Sequence, residues 1–162
     1  MKNNTRSQDL FYLNRALELA KKGAQQLAGG PFGCVIVKND EIIGEGHNEV
    51  LGSHDPTAHA EVVAIRRACA QLNDFQLSDC TVYATCEPCP MCLGALYWAR
   101  PARIVYACTR EEAADIGFDD AFIYREIDID PAQRSLPATH VPMEEASSFM
   151  KSWGEQESKS MY

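Results

Sequence analysis

Two short motifs constrain this chain more than any other feature. His59-Ala60-Glu61 is followed, 27 residues after Glu61, by Pro88-Cys89-Pro90-Met91-Cys92. One imidazole nitrogen and two thiolates form a donor set that zinc favours, and three protein ligands leave a fourth position open for water. For these donors to share one ion, two segments far apart in sequence must end at a common point. Cys89 and Cys92 stand three apart at an expected helix start, so both can face that point. His59 falls in the first turn of another expected helix. Two positive helix ends then converge on the ion and favour thiolate over thiol. Glu61 lies two residues from His59, close to a bound water without being needed as a ligand. A carboxylate there can take the water's proton and return it to a substrate nitrogen and to a departing amine.

The rest of the pattern predicts the frame around this pair. Residues 9–27 carry apolar side chains at helical spacing, with Ser7 or Asp9 as the expected cap. Gly29-Gly30-Pro31-Phe32-Gly33 breaks that helix. Cys34 to Val37 and Glu41 to Gly46 read as strands joined by an Asn39-Asp40 turn. Residues 58–72 read as a helix, 81–84 as a strand, 91–99 as a helix, 104–107 as a strand and 111–116 as a short helix. Helices alternating with strands imply a three-layer α/β/α sandwich around a mixed sheet. After Tyr124 the pattern weakens, with Pro131, Pro137 and Pro142 as punctuation and a last helix expected over 143–153.

Charge bears on the partner. The chain has 162 residues with 15 basic and 23 acidic side chains, a net charge of -8. Residues 1–110 hold 11 of each sign, whereas residues 111–162 hold 4 basic and 12 acidic. A protein that grips nucleic-acid backbone needs a basic footprint, so no nucleic-acid partner is expected. No apolar run reaches membrane-span length, so no membrane partner is expected either. The N-terminus is polar and leads into no signal-peptide region, which makes a cytoplasmic location the default. Seven cysteines, an odd number, argue against a disulfide framework and for metal or catalytic use.

The motifs resemble the cytidine deaminase superfamily of zinc-dependent nucleobase deaminases. The resemblance runs from about Leu10 to Tyr124. Its finer part, to the bacterial guanine deaminases, is carried by Gly30-Pro31-Phe32-Gly33, Asp55-Pro56-Thr57-Ala58-His59-Ala60-Glu61, Cys86-Glu87-Pro88-Cys89-Pro90-Met91-Cys92, Tyr97-Trp98-Ala99-Arg100-Pro101 and Gly117-Phe118-Asp119-Asp120. The zinc motif is shared by the whole superfamily and selects no substrate. The Trp98 and Asp120 segments are the selective ones.

The resemblance implies hydrolysis of guanine to xanthine and ammonia in purine salvage or catabolism, with ammeline as a second substrate. It implies one Zn(2+) per subunit on His59, Cys89 and Cys92, with a catalytic water or hydroxide as fourth ligand. Glu61 would be the proton shuttle. Asp120 would be a second catalytic carboxylate that hydrogen-bonds the purine. Phe32, Asn48, Ala60 and Trp98 would contact substrate. The implied fold is the cytidine deaminase-like sandwich with a mixed five-stranded sheet. A deaminase core over residues 1–130 would be followed by a tail over 131–162. That tail would be exchanged in a homodimer, so that Tyr162 reaches the partner's site.

Other readings compete. Without the resemblance, Asn48 reads as a turn residue, Trp98 as core and Asp119-Asp120 as solvated surface. Cys86 could close the metal site as a fourth, structural ligand, and Cys89-x-x-Cys92 could be a redox pair. Neither has a use for Glu61. Among activities, guanosine deamination, tRNA adenosine deamination and a non-catalytic zinc-stabilised module are the rivals.

Overall fold

The computed structural model describes residues 2–161. Its elements are α1 (Lys2–Gln25), β1 (Gly33–Lys38), β2 (Glu41–His47), α2 (Val50–Ser53), α3 (Ala60–Leu72), β3 (Thr81–Cys86), α4 (Pro90–Ala99), β4 (Arg103–Cys108), α5 (Arg110–Asp115), α6 (Ala121–Asp128), a 3-10 turn (Pro131–Gln133) and α7 (Glu144–Gly154). The chain divides into two compact units, one ending at Asp120 and the other beginning at Ala121.

In the first unit, Asn39 and Asp40 take positive φ values of 50° and 63°, as the tight turn of a two-residue hairpin requires. β1 pairs antiparallel with β2 on one side and with β3 on the other, and β3 pairs parallel with β4. The sheet is therefore mixed, in the order β2-β1-β3-β4. Val35 and Val37 of β1 pack with Tyr12, Ala16 and Leu19 of α1. Cys34 and Ile36 point the other way and pack with Ala60, Ala64 and Ala68 of α3 and Leu96 of α4. β1 is thus covered on both faces, which is why it is a continuous apolar run rather than an alternating one.

Small residues set how closely α3 lies on β2. A Cβ at Gly46 would stand 2.4 Å from the Ala60 carbonyl oxygen, and one at Gly44 would stand 2.6 Å from that of Ala64. Any side chain there would push the start of α3, and His59 with it, off the sheet.

Two expectations are corrected. The sheet has four strands among the described residues, not five. The chain leaves β4 straight into a capping box, in which the Thr109 side chain accepts from Glu112 N and the Glu112 carboxylate accepts from Thr109 N, so helix α5 begins at once. Farther on, Pro131, Pro137 and Pro142 lack the N–H that a strand ladder needs. Helix α1 also starts at Lys2, so Ser7 and Asp9 are helix interior rather than caps. Asp9 instead accepts from the Tyr83 hydroxyl at 3.1 Å and pairs with Arg103, joining α1 to β3 and β4.

The second unit holds α6, the 3-10 turn and α7. Asp130 caps the 3-10 turn by accepting from Ala132 N at 2.8 Å. The Glu126 carboxylate accepts from both the backbone and the hydroxyl of Ser135. Phe122, Ile127, Leu136, Val141, Phe149 and Met150 are all exposed. Tyr162 lies outside the described residues.

Candidate active site

His59 and Cys89 occupy the same position in two different helices. Each is the N-cap, with extended backbone dihedrals, of α3 and α4 respectively. Their carbonyls accept the first helical bonds, from Val63 N at 3.0 Å and Leu93 N at 2.8 Å. Neither side chain caps its own helix, so both can turn toward a common point. Pro90 opens α4, where its missing N–H costs nothing. Cys92 follows in the same first turn and is fully buried.

The three side chains meet. His59 Nδ1 lies 3.5 Å from Cys89 Sγ and 3.6 Å from Cys92 Sγ. The donor atoms all fall within 4.8 Å of one another. One nitrogen and two sulfurs at that spacing fit a zinc ion, and Nδ1 is the imidazole nitrogen that would hold it. Among the described residues no fourth His, Cys or carboxylate joins the cluster. Cys86 instead turns its thiol to the Thr109 carbonyl, 3.4 Å away. A closed structural site is therefore disfavoured. Cys86→Ser should keep one zinc per chain by elemental analysis; loss of zinc would make Cys86 a ligand.

The pair of thiols shares its protons unequally. Cys89 is drawn down to about 4, first by a hydrogen bond from Cys92 and then by one from His59, against the opposing effect of burial. Cys92 is pushed up by that same bond and by burial. His59 is raised, chiefly through its bond to Cys89.

Glu61 stands behind the cluster, with Oε2 3.4 Å from Cys92 Sγ and only 7% of its surface exposed. Burial, then the charge of Cys89, raises its pKa. Such a carboxylate holds a proton more readily than one in water.

The remaining expected residues fall differently. Ala60 is fully buried beneath the first turn of α3. Asn48 is buried, and its Oδ1 accepts from Val50 N at 3.2 Å, which leaves the amide NH2 as the end able to read a ligand. A Cβ at Gly29 would stand 1.9 Å from that same oxygen. Asn48 N also donates to Phe32 O at 3.0 Å, tying the two residues together. Asp120 is half-buried and its pKa is raised, by burial first and next by the charge of Cys89, so its carboxylate feels the donor cluster. Its neighbour Asp119 is exposed. Trp98 is 64% exposed on the last turn of α4. It is about 9 Å along the helix axis from Cys92 and about 240° round it. Cys108, which reads as core from its strand pattern, is exposed.

One residue escaped the sequence reading. The Phe118 ring meets Phe32 edge to face, with centroids 4.9 Å apart. The signal was present in Gly117-Phe118-Asp119-Asp120, but there Gly117-Phe118 reads only as a turn aiming a carboxylate.

Comparisons with known proteins agree with this geometry. The chain is 52% identical to guanine deaminase of Bacillus subtilis (strain 168) over 151 residues, covering 93% of this chain and 97% of that one. The X-ray structure of guanine deaminase from Bacillus subtilis matches with a TM-score of 0.91 at 51% identity, covering 94% and 97% of the two chains. A structure of guanine deaminase from Nitrosomonas europaea matches at 0.64 with 31% identity, covering 67% and 63%. The tRNA-specific adenosine deaminase of Aquifex aeolicus (strain VF5) is 34% identical over 140 residues, covering 86% of this chain and 89% of that one. Residues 6–108 match the cytidine and deoxycytidylate deaminase zinc-binding region. That span takes in all three donors and the sheet that carries them, and the chain belongs to this deaminase family.

Proposed function

We propose that this chain is a zinc-dependent guanine deaminase, hydrolysing guanine to xanthine and ammonia. The observation that carries the chemistry is the buried Glu61 carboxylate beside a three-donor cluster that no fourth ligand among the described residues closes. The likeness to guanine deaminases over nearly the whole chain carries the choice of base.

When bound, zinc lowers the pKa of a water to about 7 and so supplies a nucleophile at neutral pH. The attack falls on C2 of guanine, the carbon bearing the exocyclic amine. Glu61 takes the proton of the attacking water, passes it to a ring nitrogen, and delivers a proton to the departing amine. Asn48 offers its amide NH2 to an acceptor on the base. Phe32 supplies an aromatic face and the His59 ring lies along the flat heterocycle. Ala60, its side chain in the core, offers only its backbone, and Trp98, exposed on another side of α4 from Cys92, offers a contact only at the rim. Asp120 hydrogen-bonds the purine and assists the second proton transfer. The fit to ammeline follows from its similar donor and acceptor edge.

The tail over 131–162 is proposed to cover the site of a partner in a homodimer, with Tyr162 reaching in. The exposed apolar side chains of the second unit support a covered role in an assembly. Removing residues 158–162 should lower guanine turnover while leaving zinc content unchanged. Normal kcat/KM after truncation would refute the lid role. A cytoplasmic enzyme of purine salvage or catabolism is the setting this chemistry suits.

The test is a substrate panel. Zinc-loaded protein is incubated with guanine, guanosine, adenine, cytosine and ammeline, and ammonia is measured. Release from guanine above the others is expected, and none from guanine would overturn the proposal. Release from guanosine with none from guanine would replace the base by the nucleoside. The neutral charge of residues 1–110 weighs against a tRNA substrate, which needs a basic surface.

A further inference from the structure

The loop that carries Asp120 needs an anchor, because α5 ends at Asp115 and no strand follows it directly. Gly117 takes a φ of 95°, a conformation that favours glycine, and Phe118 N donates back to Ala113 O at 3.0 Å. That turn throws the Phe118 side chain against the segment ahead of β1. Its ring stands perpendicular to Phe32, at an interplanar angle of 87°. The contact is close. A Cβ on Gly30 would stand 2.9 Å from both Phe118 Cζ and Phe32 Cε2, so a side chain at residue 30 would make one ring shift from the other. Phe32 is held in turn, its N–H bonded to Gly30 O at 2.8 Å and its carbonyl to Asn48 N at 3.0 Å. Phe118 is 47% exposed, so core burial alone explains little of it.

We propose that Phe118 is a positioning residue for base recognition: its edge-to-face clasp on Phe32 over Gly30 sets the aromatic wall and the Asp120 carboxylate at a fixed separation. This rests on the reading of the site as a guanine pocket. Phe118 lies two residues from Asp120, in direct contact with Phe32 and, through the Phe32 carbonyl, one hydrogen bond from Asn48. A single ring thus ties together three groups expected to touch the base.

Phe118→Leu keeps an apolar side chain and removes the aromatic edge. It should lower kcat/KM for guanine by about two- to tenfold, the worth of one aromatic pair, with zinc content unchanged. KM should rise as Phe32 loosens and kcat should fall as Asp120 loses its aim. Gly30→Ala, which presses on the same contact from the other side, should produce the same split. In an Asp120→Asn background, Phe118→Leu should cost less in kcat than in the parent, because the carboxylate it aims is gone. Unchanged kcat/KM, or full additivity with Asp120→Asn, would overturn the proposal. Hydrogen exchange separates this inference from the assigned substrate. In the zinc-loaded protein without substrate, Phe118→Leu should speed exchange of the amides of Phe32 and Asp120. Unchanged exchange there would sink the clasp even if guanine is the substrate. Absence of guanine turnover in the parent protein would sink the proposed function and leave the exchange result to decide the clasp.

Discussion

Glu61→Gln should keep its zinc and lose guanine turnover by at least about a hundredfold. The amide has nearly the same shape as the carboxylate and does not have to hold the metal, since the three donors are His59, Cys89 and Cys92. What it lacks is basicity. An uncharged amide cannot take a proton from the attacking water or carry one to the leaving amine. The fold should tolerate the change, because it replaces a buried charge with a neutral group at the same place. Zinc content by elemental analysis and ammonia release under identical conditions form the check. Turnover near that of the parent would show that another group moves the proton.

Zinc removal should abolish turnover and lower the melting temperature by about 8–16 °C relative to protein held at a free zinc level a thousand times its Kd. The reason is mechanical as well as chemical. The ion would be held by the N-cap side chains of α3 and α4 together with Cys92, so it would pin the two helix starts more firmly than the thiol contacts between them do. The pH dependence has a definite sign. Zinc needs both thiols as thiolates and the imidazole neutral. In the metal-free cluster Cys89 is already ionised near neutral pH, while Cys92 keeps its proton and His59 holds one more readily than a free histidine. Zinc uptake therefore releases protons, and affinity falls as pH falls through the range where His59 protonates. Calorimetry in two buffers of different ionisation enthalpy reads this directly. Uptake with no proton release at pH 7 would contradict the assigned ligands.

The metal centre was legible because its rules are local. A helix start carries its own signals, which put Cys89 at the head of α4; His59 was expected within the first turn and stands just ahead of it, as the N-cap of α3. β1, β3 and β4 were legible as short apolar runs bounded by turn residues, and β2 from the Asn39-Asp40 turn that leads into it. The expected fifth strand came from the resemblance, and the local chemistry of Thr109, Glu112 and three later prolines worked against it. The start of α1 was missed because its polar first turns carry no apolar stripe, although they continue the same helix. Tertiary contacts were hidden altogether. Nothing in Gly29 or Gly30 announces that one packs on Asn48 and the other lies under two phenyl rings. Glycines read along a sequence as breakers, and only the fold shows which of them make room for a neighbour.

Water, with Glu61 moving its protons, should replace the exocyclic amine of guanine. The most direct measurement is turnover of guanine in water labelled with oxygen-18, followed by mass spectrometry of the product. The expected product is xanthine carrying one labelled oxygen, formed in equal amount with ammonia. Unlabelled xanthine, or no xanthine at all from zinc-loaded protein, would contradict the account.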